Sequence, residues 1–312
     1  MTPPVSVVVP THERPAILTR VLDALAEQES PPEFEVVVVD DGSRDDTPRV
    51  LARYSPRYPF RFFSQRRGGP AAARNRGIRE AAGRWIVFLG DDTVPEPNLL
   101  SVHARAQQEA RDGPVAVLGY TTWPRERRVS PFLHHINEYG LQFGYGLIED
   151  PESVPFNFFY TSNISIPRAL LMQEAELFDT SFPSAAWEDI EIAYRLTRRG
   201  LRIVYRPEAV ARHHHDISFD SFRERQRRSG ESAAVFYRKH PELADFLGVP
   251  QARAYSEAPS FARRFRALWA GLAARWELPG GRGAMDRLLR EDYLAGLRRG
   301  LEEGSHLPQG TG

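Results

Sequence analysis

The chain has 312 residues, 41 acidic against 41 basic, and no cysteine. That length holds one large α/β domain with an appendage, or two modest domains. The zero net charge gives no global attraction to nucleic acid, and the missing thiols remove disulfides, thiolate zinc sites and thiol nucleophiles, so any metal must sit on carboxylate, imidazole or water.

Residues 5–9, Val5-Ser6-Val7-Val8-Val9, form a short β-branched run closed by Pro10, which predicts a buried first strand. Pro10-Thr11-His12-Glu13-Arg14-Pro15 leads into Ile17, Leu18, Val21, Leu22 and Leu25, apolar positions at helical spacing with Pro15 in the first turn. Residues 34–39 repeat the pattern and break into Asp40-Asp41-Gly42-Ser43, followed by a charged helix to about Tyr54. A weaker third strand covers 60–63, and Gly68-Gly69-Pro70 precedes a helix over 71–82. Then Trp85-Ile86-Val87-Phe88-Leu89 ends abruptly in Gly90-Asp91-Asp92. Strands alternating with helices at this pace predict a largely parallel, right-handed sheet. Asp40, Asp41, Asp91 and Asp92 then emerge at one edge, where open α/β sheets bind ligands. Adjacent carboxylates there suit a hard divalent cation, which bridges to phosphates. No glycine-rich dinucleotide fingerprint follows the first strand and no phosphate-binding lysine loop is present, so metal and arginine are expected to handle any phosphate. Arg66, Arg67, Arg74 and Arg76 flank the third helix, where a guanidinium and free N–H groups can meet an anion.

Further on, a helix is expected over 95–111 and a strand over 115–119. Residues 124–155 read as irregular, with Trp123, Phe132, His134, His135, Tyr139, Phe143 and Tyr145 in or beside the segment. A pocket for a ring-shaped acceptor and a loop packed on the sheet both fit that pattern. Strand character returns over 156–166, a helix starts at Trp187-Glu188-Asp189, Gly200 ends it, and 201–205 is a strand. The helix from Asp189 to Arg199 is about 15 Å long and the returning strand covers a similar distance. His213 is thereby returned to the end where Asp189 sits, while His214 and His215 read as a solvated turn.

Taken in order, Val5-Ser6-Val7-Val8-Val9-Pro10-Thr11, Val38-Val39-Asp40-Asp41-Gly42-Ser43, Gly69-Pro70-Ala71-Ala72-Ala73-Arg74-Asn75-Arg76-Gly77, Phe88-Leu89-Gly90-Asp91-Asp92 and Trp187-Glu188-Asp189 resemble the family 2 glycosyltransferases of GT-A fold. The resemblance spans roughly residues 5–215. It implies an inverting, metal-dependent transfer of a sugar from a nucleotide-diphosphate sugar, such as a UDP-, GDP- or dTDP-sugar, to a hydroxyl of a saccharide or lipid-linked acceptor, in surface polysaccharide or glycolipid synthesis. Pro10, Thr11, Glu13, Asp41, Arg74 and Asp91 match positions that hold the nucleotide sugar. Asp92 matches the last carboxylate of the family's metal motif, His213 a histidine that completes the Mg²⁺ or Mn²⁺ site in several members, Asp189 the catalytic base and Glu188 its neighbour. Gly90 departs from the pattern by replacing the motif's first Asp.

The resemblance predicts a mixed, mostly parallel GT-A sheet flanked by helices over residues 1–216, with a nucleotide-sugar half to about 120 and an acceptor half beyond. A helical extension follows over 217–312. Within it Phe261, Phe265, Leu268, Leu272 and Trp276 share one helical face beside Arg263, Arg264, Arg266 and Arg275. Packing on the catalytic domain, homodimerisation and peripheral contact with an anionic membrane all fit such a helix. Gly280-Gly281-Arg282-Gly283 reads as a hinge before a last helix, and residues 306–312 as a frayed end. Met1-Thr2-Pro3-Pro4 running straight into a strand leaves no room for a signal peptide, and no apolar stretch nears the roughly 20 residues of a membrane span, so the expected compartment is the cytoplasm. Two other readings compete, a sugar-nucleotide pyrophosphorylase, which needs a glycine-rich basic loop absent at 10–15, and a non-catalytic nucleotide-sugar-binding subunit, which Gly90 favours and the pair Asp92 and Asp189 opposes.

Overall fold

The computed structural model describes residues 3–256, 260–276 and 278–304. Its central strands β1 (Val5–Thr11), β2 (Phe34–Asp40) and β4 (Trp85–Leu89) are buried along their length except at Pro10, as continuous apolar runs require. With β3 (Phe60–Ser64), β5 (Thr93–Pro95), β6 (Val115–Thr122), β7 (Asn163–Pro167) and β8 (Arg202–His213) they form one sheet of order β3-β2-β1-β4-β7-β6-β8-β5. The first four in that order are parallel, β7 runs antiparallel to both β4 and β6, β8 is parallel to β6, and β5 is antiparallel to β8. The mixed α/β sheet expected is present.

Successive residues of β1 serve opposite faces. Val7 and Val9 join Leu18, Leu22 and Leu25 of α1 (Pro15–Ala26), while Val8 joins Ile78, Phe88, Ile164 and Phe178 on the other side. Helices α2 (Thr47–Arg53), α3 (Gly69–Glu80), α4 (Leu99–Glu109), α5 (Pro131–Glu138), α6 (Arg168–Leu171) and α7 (Glu188–Thr197) follow in chain order. Phe88 and Phe178 meet edge to face at 5.5 Å; emptying such a site by Phe88→Ala costs roughly 3–5 kcal/mol. Beneath the ligand edge Asn163 is held by His103 (2.9 Å) and donates to the Ala209 carbonyl (2.8 Å). Burial lowers the His103 pKa to about 4, so this polar brace stays uncharged.

The chain resolves into two compact units that interleave. One comprises Met1–Arg127, Phe143–Thr180 and Glu188–His215; the other takes Arg128–Gln142, Ser181–Trp187 and everything from Asp216. A single cut after residue 216 would therefore assign two internal segments differently. In the second unit α8 (Phe219–Lys239), α9 (Ala244–Leu247), α10 (Val249–Ala254), α11 (Ser260–Arg275) and α12 (Gly281–Gly304) complete the set. α8 and α12 cross so closely that a Cβ on Gly230 or Gly296 would run into the facing backbone. The fully buried Asp292 accepts from Arg223 and Arg227, each at 2.7 Å.

Local differences have plain causes. The segment read as irregular contains α5, whose start carries the signals of Ser130 accepting from the Leu133 N–H and Pro131 in the first turn. Residues 156–158 form a single 3₁₀ turn, so the strand there begins only at Asn163. The glycines read as a hinge are one turn at Gly280 (φ +69°), with helix from Gly281 onward. Residues 306–312 lie outside the described residues.

Candidate active site

Because β1, β2 and β4 are parallel, Thr11, Asp40 and the Gly90-Asp91-Asp92 turn all leave at one edge of the sheet. β7 runs the other way with Asn163 opposite Leu89, so residues just ahead of it stand at that same edge. The Gly90 N–H donates to the Ser162 carbonyl at 3.2 Å, closing the junction.

Asp91 and Asp92 point into different surroundings. Thr11 Oγ1 donates to Asp91 Oδ2 at 2.8 Å, and Arg14 Nη1 bridges the pair, 3.1 Å from Asp91 Oδ1 and in contact with Asp92 Oδ2. Burial, with the Asp92 charge adding to it, pushes Asp91 up to about 6. Burial also opposes the charge on Asp92, but hydrogen bonds from His213 and His215 and the positive charge of Arg14 hold it well below the usual carboxylate range. Arg14 in turn is raised: burial works against its charge, and the two carboxylates outweigh burial.

The imidazoles arrive through strand register. Thr93 of β5 pairs with His213 at the end of β8, and the His214 N–H donates to the Asp92 carbonyl at 2.7 Å. His213 and His215, two residues apart on an extended backbone, share one side. His213 Nε2 lies 3.5 Å from Asp92 Oδ1 and His215 Nδ1 3.4 Å from Asp92 Oδ2. The rings stack on each other at 5.5 Å, and His213 stacks on Trp123 at 5.9 Å. One donor atom from each of Asp92, His213 and His215 falls within 4.8 Å of the others. The buried His213 Nδ1 has no hydrogen-bond partner. Two imidazoles and a carboxylate fit a divalent cation.

Gly90 has a steric reason: a Cβ there would stand 2.6 Å from Thr93 Oγ1 and 3.2 Å from Asp92 Oδ1. The motif's first carboxylate is thus absent where the second histidine is present.

Asp41 is buried and its carboxylate is already engaged. It accepts from Gln65 Nε2 (2.8 Å) and from the N–H groups of Gly68 (2.9 Å) and Gly69 (2.7 Å) at the start of α3. Its own N–H donates to the Thr11 carbonyl at 2.9 Å. Pro10 is half-buried beside Val39 in β2. Glu13, at φ +54°, donates its N–H to Ser43 Oγ at 2.8 Å and leaves its side chain exposed. Asp41, Pro10 and Glu13 therefore shape the loop around the edge.

From α3 the line of contacts crosses to α7. Arg74 Nη1 donates to Glu188 Oε1 at 2.9 Å, and Arg74 Nε and Glu188 Oε2 are buried without partners. Asp189 lies at the start of α7, half-buried, and receives the N–H groups of Ile190 (3.0 Å) and Thr161. Burial above all, and then the charge of Glu188, raise it to about 7, against the opposing pull of Arg74 and those two N–H groups. Thr161 adjoins Ser162, which holds Gly90. Asp189 and the Asp91-Asp92 turn are thereby tied to one edge of the sheet through consecutive residues of one short segment.

Of the aromatic residues read as a possible acceptor lining, Trp123, Phe143 and Tyr145 are core in this unit, whereas Phe132, His134, His135 and Tyr139 belong to the second unit, with His134 and Tyr139 exposed. Phe143, Tyr145 and Tyr160 pack ring to ring at 5.1–5.9 Å, and Phe143 and Tyr145 are buried. Arg14 and His215 were not singled out in the sequence. The His-x-His spacing at a strand end was the available signal for His215; Arg14 had none.

Residues 6–164 match the family described as glycosyl transferase family 2. The validoxylamine A glucosyltransferase of Streptomyces hygroscopicus subsp. limoneus is 32% identical over 273 residues, covering 77% of this chain and 58% of that protein. The hyaluronan synthase of Pasteurella multocida is 30% identical over 224 residues, 62% of this chain and 23% of that one. The chain thus spans about half or less of the length of these relatives. Among solved structures, the mannosyltransferase of Pyrobaculum calidifontis in complex with GDP-Man and Mn²⁺ superposes with a TM-score of 0.64 at 20% identity, covering 95% of this chain and 88% of that one. That likeness shows the GT-A fold, and the matched residues establish that the chain belongs to glycosyl transferase family 2.

Proposed function

We propose that this protein transfers a glycosyl group, with inversion, from a nucleoside-diphosphate sugar to a hydroxyl acceptor. The observation that carries the proposal is the pairing, at one sheet edge, of a three-donor cluster suited to a cation with a half-buried carboxylate whose pKa is raised to about 7. Asp189 takes the proton of the acceptor hydroxyl as its oxygen bonds to the anomeric carbon, while the bond from that carbon to the diphosphate oxygen breaks. One base and no covalent intermediate suffice, because attack comes from the face opposite the leaving group. Asp92, His213 and His215 would hold a divalent cation, which when bound would supply Lewis-acid stabilisation to the departing diphosphate. Arg74 is fixed by Glu188 and keeps a buried, unpartnered Nε for a donor oxygen. Thr11 positions Asp91, and Asp41 holds open the turn into α3.

The donor set favours Mn²⁺ over Mg²⁺. A saccharide acceptor in polysaccharide synthesis is in keeping with relatives named as a hyaluronan synthase and a chondroitin synthase. The test is incubation with UDP-, GDP- and dTDP-sugars in Mn²⁺, following nucleotide release and the anomeric configuration of the product by NMR. Retained configuration refutes Asp189 as a simple base; release of no nucleotide from any donor, with or without saccharide acceptors, refutes catalysis in favour of binding alone. Equal thermal stabilisation by Mn²⁺ and Mg²⁺ removes the argument for metal preference.

A further inference from the structure

Helix α11 is amphipathic in the unexpected sense. Among its described residues Ala270, Ala273 and Ala274 are buried, whereas Phe261 (82% exposed), Phe265 (65%), Leu268 (64%) and Trp276 (61%) face outward, with Leu272 and Trp269 also exposed. The spacing of Phe261, Phe265, Leu268, Leu272 and Trp276 makes them one ridge. Among the described residues these six account for half of the twelve large hydrophobic side chains left exposed. Scattered exposed hydrophobics are ordinary; a contiguous aromatic ridge marks an interaction surface.

Charge selects the occupant. The helix carries Arg263, Arg264, Arg266 and Arg275 and no acidic residue. Arg266 is drawn inward to Glu291, while Arg264 and Arg275 stay exposed beside the ridge. A second copy meeting this face by two-fold symmetry would bring the same arginines against themselves. Phosphate headgroups offer the opposite charge, and Trp and Phe suit the boundary between headgroup and acyl chain. Among the described residues no helix is long and apolar enough to cross a membrane, and sixteen residues of helix reach only about 24 Å.

We propose that the outer face of α11 docks on an anionic lipid surface, lying in its plane with the Phe261–Trp276 ridge inserted and the arginines on headgroup phosphates. The proposal is independent of the proposed reaction, because its assay reads binding alone. The full chain is sedimented with vesicles of phosphatidylcholine containing about 30% phosphatidylglycerol, and with phosphatidylcholine alone. Binding is expected to the anionic vesicles, to fall with added salt, and to drop by about tenfold or more in both Arg264→Glu/Arg275→Glu and Phe265→Ser/Leu268→Ser. All four side chains are exposed, so circular dichroism and melting temperature should match wild type. Equal binding to both vesicle types, or binding that survives either double substitution, overturns the proposal. A concentration-dependent dimer dissolved by Phe265→Ser/Leu268→Ser assigns the ridge to a second copy and also overturns it.

Discussion

Replacing Asp189 with Asn tests the proposed chemistry at its centre, since it keeps the shape of a half-buried side chain and removes only its ability to take a proton. General-base catalysis contributes about 10²–10⁴ in rate, so kcat should fall by that factor, equivalent to about 3–5 kcal/mol of barrier. Donor affinity, measured by calorimetry with nucleoside diphosphate and Mn²⁺, should persist. The pH dependence gives a second, independent reading. With the carboxyl raised to about 7, wild-type kcat/KM should climb through neutral pH as the base ionises, and the climb should be absent from whatever activity the variant retains. Stability runs the opposite way. A carboxyl whose pKa is higher in the folded than in the unfolded state binds its proton more tightly when folded. Its contribution is complete below the ordinary value near 3.8 and is lost as pH rises through about 7. At about 1.4 kcal/mol per pH unit over roughly three units, that amounts to at most about 4 kcal/mol. Denaturant titrations of wild type and variant should therefore diverge between pH 4 and pH 8, the Asn form losing less. A variant that retains most of its turnover, or two stability profiles that run parallel across that range, would refute the reasoning.

Three further perturbations address the cation site and the helical unit. His215→Ala should weaken Mn²⁺ binding by at least about tenfold in an EPR titration without nucleotide; an unchanged titration removes His215 from the donor set. Arg14→Gln should tighten Mn²⁺ binding in the absence of nucleotide, because the cation no longer competes with a guanidinium for Asp91 and Asp92, and should lower the melting temperature in chelator; a weaker Mn²⁺ affinity would show that Arg14 assists the site instead. Gly296→Ala should destabilise the packing of α8 on α12, where the added carbon meets the Arg227 backbone, by about 1–3 kcal/mol on thermal melting, and a neutral effect would mean the two helices can part without penalty.

What could be read from the chain alone follows from which interactions are local. Continuous apolar runs announced β1, β2 and β4, and their parallel order followed from the helices between them, so the shared edge of Asp41, Asp91 and Asp92 was legible. The Ser130-Pro131 signal for α5 is equally local, though it stands among closely spaced aromatic residues that mask the helical pattern. β5 is another matter. Three residues long, Thr93-Val94-Pro95 carries no periodicity, yet its pairing with β8 decides which imidazoles meet Asp92. The side-chain period of a strand is two, so slipping β8 by one residue would turn His213 and His215 away and present His214 in their place. The proposed cation site is therefore a consequence of register. Register here is held by the His214 N–H on the Asp92 carbonyl and by the Trp123–His213–His215 stack. Those contacts join segments distant in the chain. Arg14 escaped notice for the same reason: in isolation it is one more arginine among forty, and only the folded edge gives it two carboxylates to neutralise.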